Sequence, residues 1–383
     1  MANMWLRGAI TVAGVGALVV PLCTVPAGAT TPAEPSSSKP VVVVSGLNNP
    51  RQLSLVSGVE LLVAEAGTGG TVEFQGPEGP TFVGTTGSVS AVWFPQFVHN
   101  TSPHRIATGL ISAAAQDGSN ATGSDGVSAR HLGDPVYVQE TFVPPDTVSA
   151  KVAKAQDGKL LRLKRGKAVP VADISGFEAA HDPDGMGVDT DPYAVLARKS
   201  DELVADAAGN DVLSVDKHGR ITVFHVFPNV TTGACAAVAD PPGFPGCNFV
   251  PTSLATDRWG NVYVGGLSSL TPGEAQVVEL DHTGKHVLQT WGGFTSVTGL
   301  AVGSDGSLYV SQLFAAASAP GLPGVLTKLG RNGQRTNVDV PFPAGLATDA
   351  FGNVYVSAFS VAPGTGMGVP GVDSSGQVWR LRI

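Results

Sequence analysis

The sequence predicts an all-β protein, a single six-bladed β-propeller whose N-terminal strand closes the last blade. Three observations favour this fold class. The 383 residues include 49 Gly and 28 Pro but only 14% charged residues, a composition typical of short strands joined by tight turns. A strand with an apolar centre recurs six times, and its last two intervals, 262 to 308 and 308 to 354, are both 46 residues. A period in the forties with several strands per repeat is typical of propellers.

The first 29 residues have the pattern of an export signal. Arg7 provides a positive start, residues 8–22 are apolar, and Ala27-Gly28-Ala29 fits a small-x-small cleavage site. The apolar run is short for a transmembrane span, although a retained membrane anchor is the alternative. We expect cleavage after Ala29, no transmembrane anchor in the mature chain, and a secreted protein or one located in the cell envelope. Residues 30–40 are rich in Pro and Ser, which predicts a disordered linker.

The propeller is expected over residues 41–383, with up to four strands in each repeat. Four inner strands carry Pro near their first residue, where no ladder donor is needed: Pro50, Pro192, Pro251 and Pro343. The second strands are predicted at 58–66, 133–141, 200–208, 260–266, 306–312 and 352–358. The third strands are predicted at 88–94, 159–166, 211–219, 276–284, 325–333 and 377–383.

The last repeat has no fourth strand of its own, because the given sequence ends at Ile383. The stretch VVVVSGL at 41–47 precedes the first inner strand and has no other assigned place. We therefore expect it to pair with QVWRLRI at 377–383. This pairing would close the ring and remove an exposed sheet edge.

Two cysteines remain after the expected cleavage. Cys235 and Cys247 flank a loop rich in Pro and Gly. An exported chain with one nearby pair predicts a disulfide. A metal-binding pair is the alternative, but no His lies close enough in sequence to support zinc.

Two stretches of sequence resemble known families. VADAAGNDVLSVD at 204–216 resembles the signature of NHL-type propeller repeats. A larger part of the chain resembles the ScyD/ScyE family of exported propellers, with matching stretches GLNNPRQL (46–53), VAEAGTGG (63–70), HDPD (181–184), DPYAV (191–195), VADAAGND (204–211), VPTSLA (250–255) and GQVWRL (376–381). The resemblance implies an exported propeller and, by association with biosynthetic gene clusters, an accessory role in secondary metabolism. The sequence departs from the family pattern at Asp191, where Asn is more usual, and in the second repeat, which lacks the Pro.

The best candidate site is the mouth of the central channel. The strand alignment places seven polar residues at the start of the inner strands: Asn49, Arg51, Asp125, Asp191, Tyr193, Thr252 and Thr298. Propeller enzymes of the gluconolactonase type hold Ca²⁺ at the centre, and a hard cation prefers oxygen ligands such as those of Asn49, Asp125 and Asp191. Such an ion could polarise a lactone or ester carbonyl. The favoured alternative is structural: Arg51 pairs with the carboxylates and Asn49 caps a turn.

Three further features are candidates with structural alternatives. HDPDGMGVDTD at 181–191, with Glu178 nearby, is acidic but fails the EF-hand pattern, so we favour a surface loop with solvated acids. Asp206 and Asn210, like Glu65 in the first repeat, are expected to satisfy backbone groups of turns. The aromatic residues after the third strand of the first repeat either form a binding surface or fold back over the blade: Trp93, Phe94 and Phe97.

The sequence leaves two main hypotheses for function. The formal charge of −8 and the lack of a Lys/Arg-rich run argue against nucleic-acid binding. No G-x-S-x-G elbow and no H-E-x-x-H motif is present. We therefore favour a monomeric, non-catalytic binding or scaffold module for a protein, glycan or small molecule. The alternative is a Ca²⁺-dependent hydrolase of the lactonase or esterase type.

Overall fold

Six antiparallel sheets surround a common axis in the computed structural model, which describes residues 39–76, 79–317 and 322–383. The first blade contains β2 (Pro50–Val56), β3 (Glu60–Glu65), β4 (Val72–Gly76), β5 (Gly79–Trp93) and β6 (Arg105–Ala114), and β1 (Val41–Leu47) belongs to the last blade. The second contains β7 (Ser124–Ser128), β8 (Val136–Glu140), β9 (Lys159–Lys164) and β10 (Lys167–Asp173). The third contains β11 (Pro192–Ala197), β12 (Asp201–Asp206), β13 (Asp211–Asp216) and β14 (Ile221–Val226).

The remaining three blades follow in chain order. The fourth contains β15 (Pro251–Thr256), β16 (Val262–Gly266), β17 (Ala275–Leu280) and β18 (Val287–Phe294). The fifth contains β19 (Val297–Val302), β20 (Leu308–Ala317), β21 (Pro323–Leu329) and β22 (Arg335–Asp339). The sixth contains β23 (Leu346–Thr348), β24 (Val354–Ala358) and β25 (Gly376–Leu381), together with β1. The prediction of an all-β, six-bladed propeller is confirmed.

The inner strands form a closed ring, because each contacts the inner strand of the blade on either side. Small residues allow this close approach. An added Cβ at Gly345 would lie 2.5 Å from the Cα of Gln52 in the first blade, and one at Gly299 would overlap the carbonyl of Ala344. Apolar side chains fill the space between the blades farther out. The small, Pro-led pattern of the inner strands therefore reflects crowding at the axis.

β1 closes the ring as the sequence predicts. It pairs with β25 in antiparallel register, with Val42 opposite Trp379 and Val44 opposite Val378. Val43, Val44 and Leu47 are fully buried and pack in one cluster with apolar residues of the first and sixth blades. Burying a side chain of this size contributes about 1.5–3 kcal/mol. The strand therefore joins the first and last blades through both hydrogen bonds and apolar contacts.

The structure adds elements that the sequence reasoning missed. The predicted third strand of the first blade, 88–94, is the end of the 15-residue β5, and its first part pairs with β4 in a hairpin that extends the blade. Two short helices also occur, α1 (Ala150–Gln156) and α2 (Ile174–His181). Each is capped at its N-terminus by a side chain, Ser149 for α1 and Asp173 for α2. Helices of seven and eight residues are too short to show a clear apolar period.

The loops define two faces, which we name by their connections. The turn face carries the loops that join first to second and third to fourth strands, such as 57–59, 94–104, 257–261 and 349–353. The crossover face carries the loops that join second to third strands and successive blades. The disulfide between Cys235 and Cys247 is present, as predicted, in a crossover-face loop that also contains a 3₁₀ turn at Gly233–Ala237.

Two predictions for the N-terminal region concern residues outside this description. The export signal at 1–29 and the linker, except for Lys39 and Pro40, lie outside the described residues. None of the helices in the described part of the chain combines the length and the apolar character needed to cross a membrane.

Removal of the closing strand tests the ring directly. We expect a chain that starts at Asn48 to melt at a much lower temperature than one that starts at Val41, because only the first lacks β1 and its buried Val43, Val44 and Leu47. Differential scanning calorimetry of the two truncated proteins makes the comparison. Equal melting temperatures would mean that the β1–β25 pairing does not hold the ring together.

Candidate functional site

The structure brings the predicted channel-mouth residues together at one end of the ring, and buries all of them. The exposed fraction of each side chain is 4% or less. A register shift occurs near the start of five inner strands, so successive residues do not simply alternate between the axis and the blade. The members of this central cluster are Asn49, Arg51, Asp125, Asp191, Tyr193, Thr252 and Thr298.

Asn49 is committed to backbone groups of the loops around it. Its Nδ2 donates to the carbonyl oxygens of Gly67 and Gly118, each at 2.8 Å, and its Oδ1 accepts from the amide of Ala121 at 3.3 Å. Its φ is 50°, in the left-handed region that Asn adopts more readily than most residues. Val250 and Phe342 precede Pro in the same way and also have positive φ. The geometry therefore fits the structural alternative for Asn49.

Arg51 and Asp125 form a buried ion pair. The Arg51 Nε lies 3.3 Å from the Asp125 Oδ1, although the two atoms are not aligned as a hydrogen bond. Asp125 Oδ2 accepts from the Thr122 hydroxyl at 2.8 Å and the Gly123 amide at 3.0 Å, and the guanidinium also donates to the carbonyl of Ala121. Burial raises the pKa of Asp125, while Arg51 opposes that rise. The positive charge next to the Asp125 carboxylate is thus the Arg51 guanidinium.

Asp191 and Tyr193 complete the polar centre. The Thr141 hydroxyl donates to the Asp191 Oδ1 at 3.0 Å. Burial, and then the nearby Asp125, raise the pKa of Asp191 well above its ordinary value. Burial likewise raises the pKa of Tyr193, and the Arg51 guanidinium near its hydroxyl opposes that rise. Burial therefore works against a second charge beside the Arg51–Asp125 pair.

The two predicted threonines join neighbouring blades. The Thr252 hydroxyl donates to the carbonyl of Val297 at 2.6 Å, and the Thr298 hydroxyl donates to the carbonyl of Pro343 at 2.8 Å. Gln52, which the sequence reasoning missed, crosses the axis from the first blade. Its Nε2 donates to the carbonyl oxygens of Thr252 and Thr298 at 3.0 and 2.9 Å. A bulge between Pro50 and Leu53 places Gln52 there, and no motif in the sequence signals it.

Glu140 lies beside this centre and is fully buried. Its Oε1 accepts from the Ser124 hydroxyl at 2.6 Å, whereas its Oε2 has no partner among the described residues. Burial raises the pKa of Glu140 to about 8, and the neighbouring Asp125 adds to the shift. This carboxyl is therefore largely protonated at neutral pH in the folded protein.

The acidic stretch near α2 is only partly a solvated loop. Asp182, Asp184 and Asp189 are half-buried, but Glu178 and Asp191 are buried, so the prediction of solvated acids is wrong for these two residues. Burial raises the pKa of Glu178 to about 8, with further contributions from Asp206, Asp184 and Asp182. These groups lie on the crossover face of the third blade, beside the central cluster.

The turn roles predicted for three other polar residues are confirmed. Asp206 accepts from the amides of Asp191 at 2.7 Å and Gly209 at 3.1 Å. Asn210 donates to the carbonyl of Phe227 and accepts from the amide of Val250. Glu65 accepts from the amide of Asn48 at 2.8 Å and pairs with Arg105. Asp206 and Glu65 hold loops against strands of their own blades, whereas Asn210 links its loop to the segments that follow β14 and precede β15 of the next blade.

The most exposed aromatic side chains lie on the turn face. They are Trp93, Phe94, Phe97, Trp259 and Phe351, with exposed fractions from 48% to 73%. Three hollows of about 360, 440 and 300 Å³ lie on the same face. The first and second share Phe351, Asn353 and Arg382, and the second and third share residues of the loops near 303 and 349, so they form one continuous groove.

Comparisons with known proteins support the fold and leave the family open. No family model matches the chain, and no curated protein matches it. A structural genomics protein of unknown function from Bacteroides thetaiotaomicron is similar in structure, with a TM-score of 0.50 at 9% identity over 91% of this chain and 76% of that one. The structural neighbours are six-bladed propellers of the NHL and SMP-30-like kinds.

Two neighbours have names that suggest enzymes. One is a putative oxidoreductase (glucose dehydrogenase) from Thermus thermophilus, with 15% identity, coverage of 90% and 99%, and a TM-score of 0.49. The other is a gluconolactonase from Xanthomonas campestris, with 11% identity, coverage of 93% and 98%, and a TM-score of 0.46. Both TM-scores lie below 0.5, so neither likeness carries a conclusion about this chain. The fold and the buried centre define the chain as a six-bladed β-propeller protein.

Replacing Arg51 tests the buried ion pair. We expect Arg51→Met to lower the free energy of unfolding by roughly 3 kcal/mol, because Asp125 would be left buried without its cation. Arg220→Met is the matched control, since its pair with Asp216 is exposed and contributes little. Urea denaturation of both variants measures the difference. Equal, small losses in the two variants would contradict a structural role for the Arg51–Asp125 pair.

The pH dependence of stability tests the environment of Glu140. Its folded pKa, about 8, lies above the ordinary value of 4.5, so its contribution to stability is greatest at low pH and falls as pH rises from about 4.5 to 8. Relative to the native protein, Glu140→Gln should therefore gain roughly 1–3 kcal/mol of stability between pH 5 and pH 8. Urea denaturation at both pH values measures this gain, with the exposed Glu73→Gln as control. If the stability of Glu140→Gln changed between the two pH values in the same way as that of the native protein, Glu140 would have an ordinary pKa.

Proposed function

We propose that this chain is an exported, non-catalytic binding module that holds an extended acidic polysaccharide in the groove of the turn face. The main support for this proposal is that the groove is continuous and has exposed aromatic rings along it. Aromatic rings that present a flat, exposed surface can stack against sugar rings, and a long groove suits a polymer better than a small metabolite.

The charge of the groove favours an anionic ligand. Six cationic side chains line it against three carboxylates, although the whole chain has a formal charge of −8. The cations are Lys39, Arg258, Lys328, Arg331, Arg380 and Arg382. The carboxylates are already engaged within the protein: Asp349, for example, accepts from Asn353 at 2.6 Å and from the Tyr355 hydroxyl at 3.0 Å. Complementary charge favours encounter with acidic chains and selects against neutral ones.

One exposed ring shows how the groove can combine stacking with charge. The Arg258 guanidinium lies 4.2 Å from the centre of the Trp259 ring, which is 62% exposed. Phe351 is 67% exposed where the first two hollows meet, with Arg382 beside it. A sugar ring placed on Phe351 would bring a carboxylate substituent within reach of this arginine.

Export and family membership are part of the same proposal. The disulfide between Cys235 and Cys247 is compatible with an oxidising compartment, which agrees with the signal expected at residues 1–29. We place the chain with the ScyD/ScyE-type propellers on the sequence stretches they share. An accessory role in secondary metabolism would follow only by association, because one fold serves many functions.

The competing proposal is a Ca²⁺-dependent lactonase or esterase at the central cluster. It requires oxygen atoms of Asn49, Asp125 and Asp191 to face one ion. Asn49 is held by three backbone groups and Asp125 faces Arg51, which favours the structural alternative. The binding module is therefore the better supported of the two.

Affinity electrophoresis in gels that contain a defined polysaccharide tests the binding groove. We expect polygalacturonate or alginate to retard the native protein, and neutral dextran to leave its mobility unchanged. Phe351→Ala should weaken retardation about tenfold, because loss of a central aromatic contact costs more than 1 kcal/mol in typical interfaces. Val287→Ala is the control, since Val287 is exposed on the outer strand of the fourth blade.

Two results would contradict this function. One is the absence of retardation by every acidic polysaccharide tested, or equal retardation of the native protein and Phe351→Ala. The other is Ca²⁺-dependent opening of an aldonolactone that is lost in a folded Asp125→Asn protein, which would establish the hydrolase instead.

A further inference from the structure

A separate group of carboxylates lies on the crossover face of the third blade, and the groove on the turn face does not involve it. Glu178 belongs to α2, Asp184 follows that helix, Asp206 ends β12 and Asp211 begins β13. Asp206 and Asp211 are directly opposite each other in the antiparallel ladder. Side chains in such a pair have their Cβ atoms about 5 Å apart, and like charges there are unfavourable.

Gly209 marks the place where the helix and the hairpin meet. A Cβ added to Gly209 would lie 3.2 Å from the Glu178 Oε2 and 3.3 Å from the Asp206 Oδ2. Oxygen atoms from two different elements therefore border the same small space above this glycine. The space is tight, because even a methyl group at position 209 would crowd these oxygen atoms.

Two buried carboxyl groups at this place have few partners. Glu178 and Asp211 have exposed fractions of 0%. Neither carboxylate oxygen of Asp211 has a hydrogen-bond partner among the described residues. The Glu178 carboxyl group has no side-chain partner there, although the backbone amide of Asp189 interacts with it. No ion pair of the described residues joins a Lys or Arg to Glu178, Asp184, Asp206 or Asp211. A buried carboxylate that is neither paired nor hydrogen-bonded costs several kcal/mol. Asp125, by contrast, has the Arg51 guanidinium beside it.

We propose that Glu178, Asp206 and Asp211, together with Asp184, bind a divalent cation of the calcium type. Ca²⁺ is a hard cation that takes six to eight oxygen ligands at flexible sites, and carboxylates are its commonest charged ligands in proteins. The ion neutralises the facing charges of the β12–β13 hairpin and occupies the space above Gly209. Backbone carbonyl groups and water complete its coordination.

In this structure the proposed ligands do not yet surround one point. This agrees with the finding that no group of three or more His, Cys, Asp or Glu side chains among the described residues could hold a metal ion. Binding therefore turns the Asp211 and Asp184 side chains toward Glu178 and Asp206. The Asp184 Oδ1 gives up, or shares, its present hydrogen bond from the Met186 amide at 2.8 Å. Asp206 already holds the end of this loop through the Thr190 hydroxyl at 2.6 Å and the Asp191 amide. The cation thus fastens α2 and the loop that follows it to the third blade.

Titration of the EDTA-treated full mature protein with CaCl₂ at pH 7.5 tests this site. Isothermal calorimetry should show one saturable site, and the melting temperature should rise with Ca²⁺. Asp211→Asn and Glu178→Gln should each weaken binding at least thirtyfold. They should also melt no lower than the native protein without Ca²⁺, because each removes a buried carboxyl group that has no cation beside it. Gly209→Ala should weaken binding as well, since its methyl group would lie against the two ligand oxygen atoms.

Asp281→Asn is the matched control, because Asp281 is an acid of an exposed hairpin turn in the fourth blade. The proposal is wrong if Ca²⁺ gives neither a saturable heat nor a melting shift, or if the native protein, Asp211→Asn and Glu178→Gln bind it equally. Protons would then neutralise these carboxyl groups. Polysaccharide binding is measured on the opposite face, so its loss or retention is independent of this result.

Discussion

The pairing of β1 with β25 is the constraint on which the rest of the structure depends. Every inner strand touches two neighbours, so the geometry of the centre is fixed only when the first and last blades are held together. β1 provides this connection from the far N-terminal end of the described chain, with Val43, Val44 and Leu47 buried between the two blades. A sheet ring that is closed in this way has no free edge at its joint. The polar groups at the axis can then be positioned by several blades at once.

The centre of the ring is held by polar contacts between blades. Gln52 reaches across the axis, and the Ser357 hydroxyl donates to the carbonyl of Arg51 at 2.7 Å, which links the sixth blade to the first. Thr252 and Thr298 make equivalent links between later blades. Such contacts satisfy buried backbone groups that crowded inner strands would otherwise leave unpaired. Two of the residues predicted at the channel mouth, Thr252 and Thr298, thus bond to the backbone of the neighbouring blade.

The two faces differ in what they offer to a ligand. The turn face is open and combines aromatic rings with cations, whereas the crossover face has longer loops, the disulfide and buried carboxylates. Arg51 compensates Asp125 within the ring, but no comparable cation accompanies Glu178 or Asp211 among the ion pairs of the described residues. The presence of a neighbouring cation therefore distinguishes Asp125, which has a structural role, from Glu178 and Asp211, which we assign to a metal ion.

The sequence was sufficient to predict the blade number, the closing strand and the disulfide, because strand periodicity, turn residues and the cysteine pair are local signals. The alignment of the inner strands placed the central residues at the start of those strands, but whether they form a functional site stays a prediction. The sequence could not predict the place of Gln52, because the bulge after Pro50 changes which side chains face the axis. It also missed the burial of Glu178, which depends on how the short helix α2 packs against a hairpin about 30 residues later in the chain.

Native-state hydrogen exchange of the closing strand tests the central claim most directly. If β1 and β25 form part of the cooperative ring, amides of residues 41–47 and 376–381 should exchange as slowly as those of β16 and β17, through global unfolding. Mass spectrometry of peptic fragments resolves these segments. The claim would be contradicted if the amides of residues 41–47 exchanged several orders of magnitude faster while those of β16 and β17 stayed protected. The β1–β25 pairing would then open on its own, and the ring would not depend on it.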